Sequence, residues 1–221
     1  MSGITTEGAN ELFWMGRYVE RVYTTIAEFF HGYDSMIDDR LTYQEICRRF
    51  SIPNVYTDQR DFLRRYPFDD TNPDSIISNL IRAHDNAIVL REDIGSETLA
   101  YIQLAIYDMR KAAISSVPLV EMMRVVDDLF AFWGCMDDTV ADYSERSIVK
   151  AARRVERIDI YLRLGMPPSA IEPQIGRLNR RIASTGLRYD QTAVPRIREL
   201  LASGREGYPE AIRIIESMVD V

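Results

Sequence analysis

"LFWMGRYVERVYTTIAEFF", Leu12–Phe30, is the stretch whose reading decides the fold class of this 221-residue chain. Leu12, Met15, Val19, Val22, Ile26 and Phe29 recur at spacings of three and four, the period of one helix face. A second stripe runs beside the first through Phe13, Gly16, Glu20, Tyr23, Ala27 and Phe30. So wide an apolar face belongs to a helix near the centre of a bundle rather than to a surface helix. The pattern extends from about Ala9 to Ile37. Arg17, Glu20 and Arg21 stand in the middle of it, and their presence there is the functional question the chain poses.

The question recurs further along. "AARRVER", Ala151–Arg157, repeats the pattern at an offset of 136 residues. Leu12 then meets Ile148, Met15 meets Ala151, Val19 meets Val155, Val22 meets Ile158 and Ile26 meets Leu162. Apolar matches come cheaply between amphipathic helices. The polar matches do not: Arg17 meets Arg153, Glu20 meets Glu156 and Arg21 meets Arg157. Such a repeat suggests duplication, with the two related helices packed about a pseudo-twofold axis.

Outward from these two helices the chain continues to read as helix. In "TNPDSIISNLIRAHDNAIVLREDIGSE", Asn72 suits an N-cap, Pro73 the first helical position and Asp74 the positive end of the dipole. That helix should stop near Gly95, with Ser96 capping the next. Pro118 opens another through about Thr139, and a further one covers Ser144 to Leu164, ended by Gly165. Three shorter helices are expected in Pro168 to Val221, broken at Gly186 and around Gly204 to Pro209. Leu41 to Thr71 reads as short helices and loops, and no alternating strand stands out. The fold class is all-α, a multi-helix bundle with an internal duplication of a Glu-Arg-bearing helix.

Composition narrows the function. The chain is 46% hydrophobic and 28% charged, as soluble globular proteins are. A net charge of −7 argues against nucleic acid as a partner. No stretch approaches the ~18 apolar residues of a membrane span, so no membrane partner is expected. No charged segment followed by an apolar run opens the chain, and Cys47 and Cys135 are isolated, so a reduced cytoplasmic setting is expected. Lys occurs only at Lys111 and Lys150; every other cation is Arg, whose planar fork suits carboxylates and phosphates and tolerates burial.

Glu20 carries the sharpest physical constraint. A carboxylate in a stripe of apolar and small residues must be paired or stay neutral, because burying it alone costs several kcal/mol. Arg17, three residues earlier, lies along the same side of the helix, whereas Arg21 points about 100° away. The expected arrangement is a network in which each Glu is held by an Arg of its own helix and another from elsewhere. Arg82, Asn86, Arg91 and Glu97 are candidates to join it as an interior cluster, beside Arg17, Glu20, Arg21, Arg153, Glu156 and Arg157. Three roles stay open. The network fixes helix register as buried salt bridges; it grips an anionic group; or Glu20 or Glu156 acts as a catalytic acid or base.

Other motifs point nowhere as strongly. Glu28 and His31 have the Glu-x-x-His spacing of di-iron bundles, but that chemistry needs two such motifs, and the residue three before His84 is Ile81. His84 and Asp85 are adjacent and do not share a helix face. No GxSxG, Cys-His signature or Gly-rich phosphate loop is present, so an autonomous hydrolase or kinase is not expected. Asp137, Asp138 and Asp142 lack the spacing of a calcium loop. No metal and no cofactor is predicted.

"ANELFWMGRYVERVYTT" (Ala9–Thr25), "NPDSIISNLIRAHDNAIVLREDIGSE" (Asn72–Glu97) and "AARRVERIDIYLRL" (Ala151–Leu164) together resemble the bacterial alpha-E domain family, α-helical proteins with a recurring Glu-Arg motif. This chain resembles a short, divergent member: Ala152 stands where the family's "GRxxER" pattern carries Gly, and His84 to Ile88 departs from its central block. The resemblance implies one alpha-E-like domain over residues 1–221, with pseudo-repeats at about 1–140 and 141–221. It also implies association with ATP-grasp ligases and with transglutaminase-like or proteasome-like peptidases, in systems that make or modify peptides by amide ligation. The expected function is then an accessory or partner subunit of such a system, with a peptide as substrate. The alternatives are an enzyme acting on peptide or amino-acid groups through a buried Glu, and a structural homo-oligomeric helical protein.

Overall fold

The computed structural model describes residues 4–38, 42–50 and 52–220. Leu41, Ser51 and Val221, the ends or interior of regions whose structure was anticipated above, lie outside them. Ten α-helices follow one another among the described residues: α1 (Thr6–Ile37), α2 (Tyr43–Arg49), α3 (Gln59–Arg65), α4 (Ile76–Val89), α5 (Arg91–Ile114), α6 (Pro118–Thr139), α7 (Tyr143–Arg163), α8 (Pro168–Ile182), α9 (Ala193–Ala202) and α10 (Tyr208–Ser217). Two short 3-10 turns, Tyr66–Phe68 and Arg205–Gly207, complete the helical content. A two-residue antiparallel pair joins β1 (Arg188–Tyr189) to β2 (Val219–Asp220), with Arg188 opposite Asp220. The fold is all-α, as the periodicity predicts.

The chain forms two compact units, and α1 contributes to both. The first comprises residues 1–20 and 141–221, and the second residues 21–140. In the first, α7 packs on α8 and α10, and α10 on α9. Asp142 starts α7 by accepting hydrogen bonds from the Ser144 and Glu145 N–H groups at 2.7 and 3.2 Å, which satisfies donors the helix leaves unpaired. Ile148, Val155, Ile158 and Leu162 then fall on the buried face of α7.

In the second unit α5 packs on α4 and α6. An aromatic cluster fills its other end: the Phe62 ring lies 5.5 Å from Phe29 and stacks on Tyr66 at 5.4 Å. Two helix boundaries differ from the sequence expectation. α4 begins after Ser75, whose Oγ accepts the Ser78 N–H at 3.1 Å, whereas Asn72 Oδ1 is taken up by the Asp74 N–H at 2.9 Å in a turn. Two cap-forming side chains three residues apart compete, and the one next to the apolar run wins. The helix also ends at Leu90, before Gly95. Gly95 instead breaks the regular path inside α5 at φ +80°, a conformation that favours glycine.

Candidate functional site

The duplicated motif comes together where α1 passes α7. Gly16 sets the distance. A Cβ on Gly16 would stand 2.9 Å from the Val149 carbonyl oxygen and 3.0 Å from Ala152 Cβ, so the backbones approach as only glycine permits. Gly16 and Ala152 are counterparts at the offset of 136. The two copies therefore meet at equivalent positions, as a twofold contact requires.

The charges follow the same symmetry. Arg17 Nε donates to Glu156 Oε2 at 2.7 Å, and its counterpart Arg153 Nε donates to Glu20 Oε2 at 2.8 Å. Arg157 Nε donates to the other Glu20 oxygen, Oε1. Both glutamates are completely buried. Arg17 is nearly so, with its guanidinium 4.8 Å from the Trp14 ring centre. Arg17 reaches across to Glu156 of the opposite helix rather than to Glu20 of its own, where the spacing placed it. The order along the helix explains this in part: a cation N-terminal to its anion opposes the helix dipole. The close approach at Gly16 then puts the opposite helix's carboxylate within reach.

Further charged groups on α7 belong to the same unit. Arg154 Nη1 donates to Gln174 Oε1 of α8 at 2.9 Å. Burial, and then the neighbouring charges of Arg153 and Arg157, push the Arg154 pKa down to about 10. Burial pushes the Asp159 carboxyl up, against the hydrogen bond from Arg163 Nε at 3.0 Å. Arg163 Nη2 continues to Glu216 of α10 at 2.5 Å. The sequence reading passed over Trp14, Arg154, Asp159 and Gln174. Asp159 was detectable, since it lies three residues after Glu156 and four before Arg163 on one helix side.

The remaining candidates lie in the second unit. Arg21 is half-buried, and its charge acts on the Tyr66 hydroxyl, which burial pushes above the ordinary phenol range. Arg82 is half-buried and donates to the Pro73 carbonyl at 2.9 Å; Asn86 is half-buried on the same helix. Arg91 and Glu97 are exposed, and Arg91 Nε donates to Ser96 Oγ at 3.1 Å. Those two are not interior residues. The irregular backbone at Gly95 resets the helical phase between them, so helical spacing does not carry across. Glu28 is half-buried and burial raises its pKa against the charge of the exposed His31. Among the described residues no group of three or more His, Cys, Asp or Glu is placed to hold a metal ion. Among them, too, no helix is long and apolar enough to cross a membrane.

A family model described as "a predicted alpha-helical domain with a conserved ER motif" matches residues 6–173, which include both Glu20-Arg21 and Glu156-Arg157. The chain belongs to the Alpha-E family. No curated protein and no solved structure matches it. In this Alpha-E chain Glu20 and Glu156, each followed by Arg, are the anions of a reciprocal, buried seam between α1 and α7. Chemically the seam joins two helices through charge-assisted hydrogen bonds in the core.

Proposed function

We propose that this Alpha-E chain is an accessory or partner subunit of an ATP-grasp-linked peptide synthesis or amide-ligation system, and that it is not the catalyst. The observation that carries this is the commitment of the motif itself. A general acid or base must be reachable by the group whose proton it moves. Glu20 and Glu156 are completely buried, and each accepts from at least one guanidinium. That supports a seam that holds the fold together and leaves little for turnover.

An accessory subunit also needs a surface to offer. Leu104, Tyr107 and Ile114 of α5 and Val120, Met123 and Phe130 of α6 are large apolar side chains left exposed. Exposed apolar side chains gathered on neighbouring helices mark association surfaces. The choice of an ATP-grasp ligase, with a transglutaminase-like or proteasome-like peptidase beside it, comes from the family resemblance. The test mixes the chain with a purified ATP-grasp ligase from the same genome at micromolar concentrations. Co-elution and a rise in ATP-dependent amide formation are expected. Separate elution with unchanged ligase turnover refutes the proposal.

The same exposed surface favours a second reading, a homo-oligomeric helical protein. Light scattering over a concentration series separates the two. Self-association without ligase binding would support the second, and a monomer at every concentration would remove it.

A further inference from the structure

The N-terminus of α6 and one side of α3 border a hollow of about 560 Å³, within the range of small-ligand sites. Its polar lining is unusual in one respect. Tyr33, Gln59, Arg60, Arg64 and Ser116 all face it, and none makes a side-chain hydrogen bond or ion pair among the described residues. The neighbouring basic side chains behave differently. Arg65, on the same helix as Arg60 and Arg64, is held by Asp61 at 3.1 Å, and Arg48 and Arg49 of α2 are held by Glu45 at 2.5 and 3.1 Å.

Arg60 and Arg64 are four residues apart on α3, so they project from one helix side and repel each other. An anion between them relieves that repulsion, and a carboxylate fits the guanidinium fork with two parallel hydrogen bonds. The start of α6 adds to the positive field. Pro118 has no N–H, no side chain caps the helix, and the first helical bond is donated by Glu121 to the Val117 carbonyl at 3.2 Å. The Leu119 and Val120 N–H groups precede that bond.

The opposite character lies alongside. Leu63, Val117, Leu119 and Val120 line the same hollow, and Val117 and Val120 are 51% and 64% exposed. A ligand that satisfies both halves carries a carboxylate next to an apolar side chain. The Gln59 amide and the Tyr33 and Ser116 hydroxyls are suited to the peptide groups behind such a terminus. A fatty acid offers those groups no hydrogen bond in exchange for the water it displaces. We infer that this hollow binds the C-terminal carboxylate of a peptide ending in an apolar residue. Arg60 and Arg64 grip the carboxylate, the valines and leucines take the terminal side chain, and Tyr33, Gln59 and Ser116 hold the backbone. The site is separate from the buried glutamate seam and stands whether or not the ligase partnership does.

The test is calorimetric titration of the full chain with N-acetyl-Gly-Gly-Leu as free acid, with the same peptide as C-terminal amide, and with octanoate. The free acid is expected to bind saturably, and the amide ~10-fold or more weakly. The Arg60→Gln, Arg64→Gln double variant is expected to lose the preference for acid while keeping its thermal midpoint, because both side chains are exposed. The comparison of acid with amide needs no variant, so it stands if the double variant folds poorly. Equal binding of acid and amide, or no saturable binding of the acid, overturns the inference. Octanoate binding as well as the peptide overturns the peptide assignment in favour of a lipid carboxylate. Retained preference for the acid in a folded double variant overturns the assignment to these arginines.

Discussion

The seam between α1 and α7 and the packed pair α5–α6 both bury carboxylates, and they treat them in opposite ways. In the seam, Glu20 receives Arg153 and Arg157, and Glu156 receives Arg17. Between α5 and α6, Asp108 and Asp128 are each less than a tenth exposed, and each is an acid close to another acid. Lys111 Nζ stands 3.9 Å from Asp108, while Asp128 Oδ2 has no hydrogen-bond partner among the described residues. The difference teaches where ionisation supports the fold and where it works against it. A buried carboxylate met by guanidinium groups must stay charged. Asp128, met by burial and other carboxylates, is better off protonated.

The largest effect should come from breaking the paired side. Glu20→Gln keeps the shape but removes the anion that faces Arg153 and Arg157. One amide oxygen can accept from one guanidinium, and the amide NH2 then confronts the other. Removing one partner of a buried charge network costs about 3–5 kcal/mol. Urea unfolding at neutral pH should show that loss. A loss below about 1 kcal/mol would mean that water reaches the seam, as it does for surface pairs, and the contrast with α5–α6 would collapse.

The next effect tests the geometry that lets the pairs form. In Gly16→Ala the new Cβ would stand 2.9 Å from the Val149 carbonyl oxygen, a backbone atom that cannot rotate away. Forcing a methyl group into a packed site costs about 1–3 kcal/mol. The better helix propensity of Ala returns about 1 kcal/mol of that. A net loss of about 0–2 kcal/mol is therefore expected in the same unfolding measurement. If Gly16→Ala instead stabilises the protein, the helices do not need their close approach and the seam's geometry has another origin.

Much of this was legible beforehand, for physical reasons that differ by residue. The apolar period from Leu12 to Phe29 made α1 unmistakable, because burial of one face imposes it. The register of Arg17-Glu20-Arg21 on Arg153-Glu156-Arg157 singled out residues of the seam, in which Arg17 meets Glu156 and both Arg153 and Arg157 meet Glu20. Which arginine would reach which glutamate was not legible. That depends on the approach at Gly16, and a period carries no distance. Arg91 and Glu97 were expected inside because helical spacing was carried across Gly95, where the backbone is not helical. The pair Asp108 and Asp128 was hidden, since the two lie 20 residues apart on different helices and only the packing of α5 on α6 makes them neighbours. The hollow beside α3 was equally hidden. Arg60 and Arg64 lie among other charged residues in "DQRDFLRR", and nothing in that string says which cations lack partners.

The smallest effect has the opposite sign and a pH dependence. Burial first, and then the charges of Asp108 and Asp127, raise the Asp128 pKa from an ordinary 3.8 to about 6. Between those two values the folded protein holds the proton and the unfolded chain has released it. Stability therefore falls as pH rises from 3.8 to about 6 and gains nothing back above that. Asp128→Asn is neutral in both states and can donate a hydrogen bond that the carboxylate cannot. It should remove this part of the pH dependence and stabilise the protein at pH 7 by about 1 kcal/mol, after allowing for partial access of water. Burial also raises the pKa values of Asp159 and Glu28, so their titration adds to the pH dependence of the parent protein. The quantity to read is thus the difference between variant and parent unfolding free energies from about pH 4 to pH 8. A difference that grows to about pH 6 and then levels assigns the penalty to Asp128. A flat difference, or a loss of stability at pH 7, would mean that this carboxylate is as well accommodated as Glu20, so that the two regions handle buried acids alike.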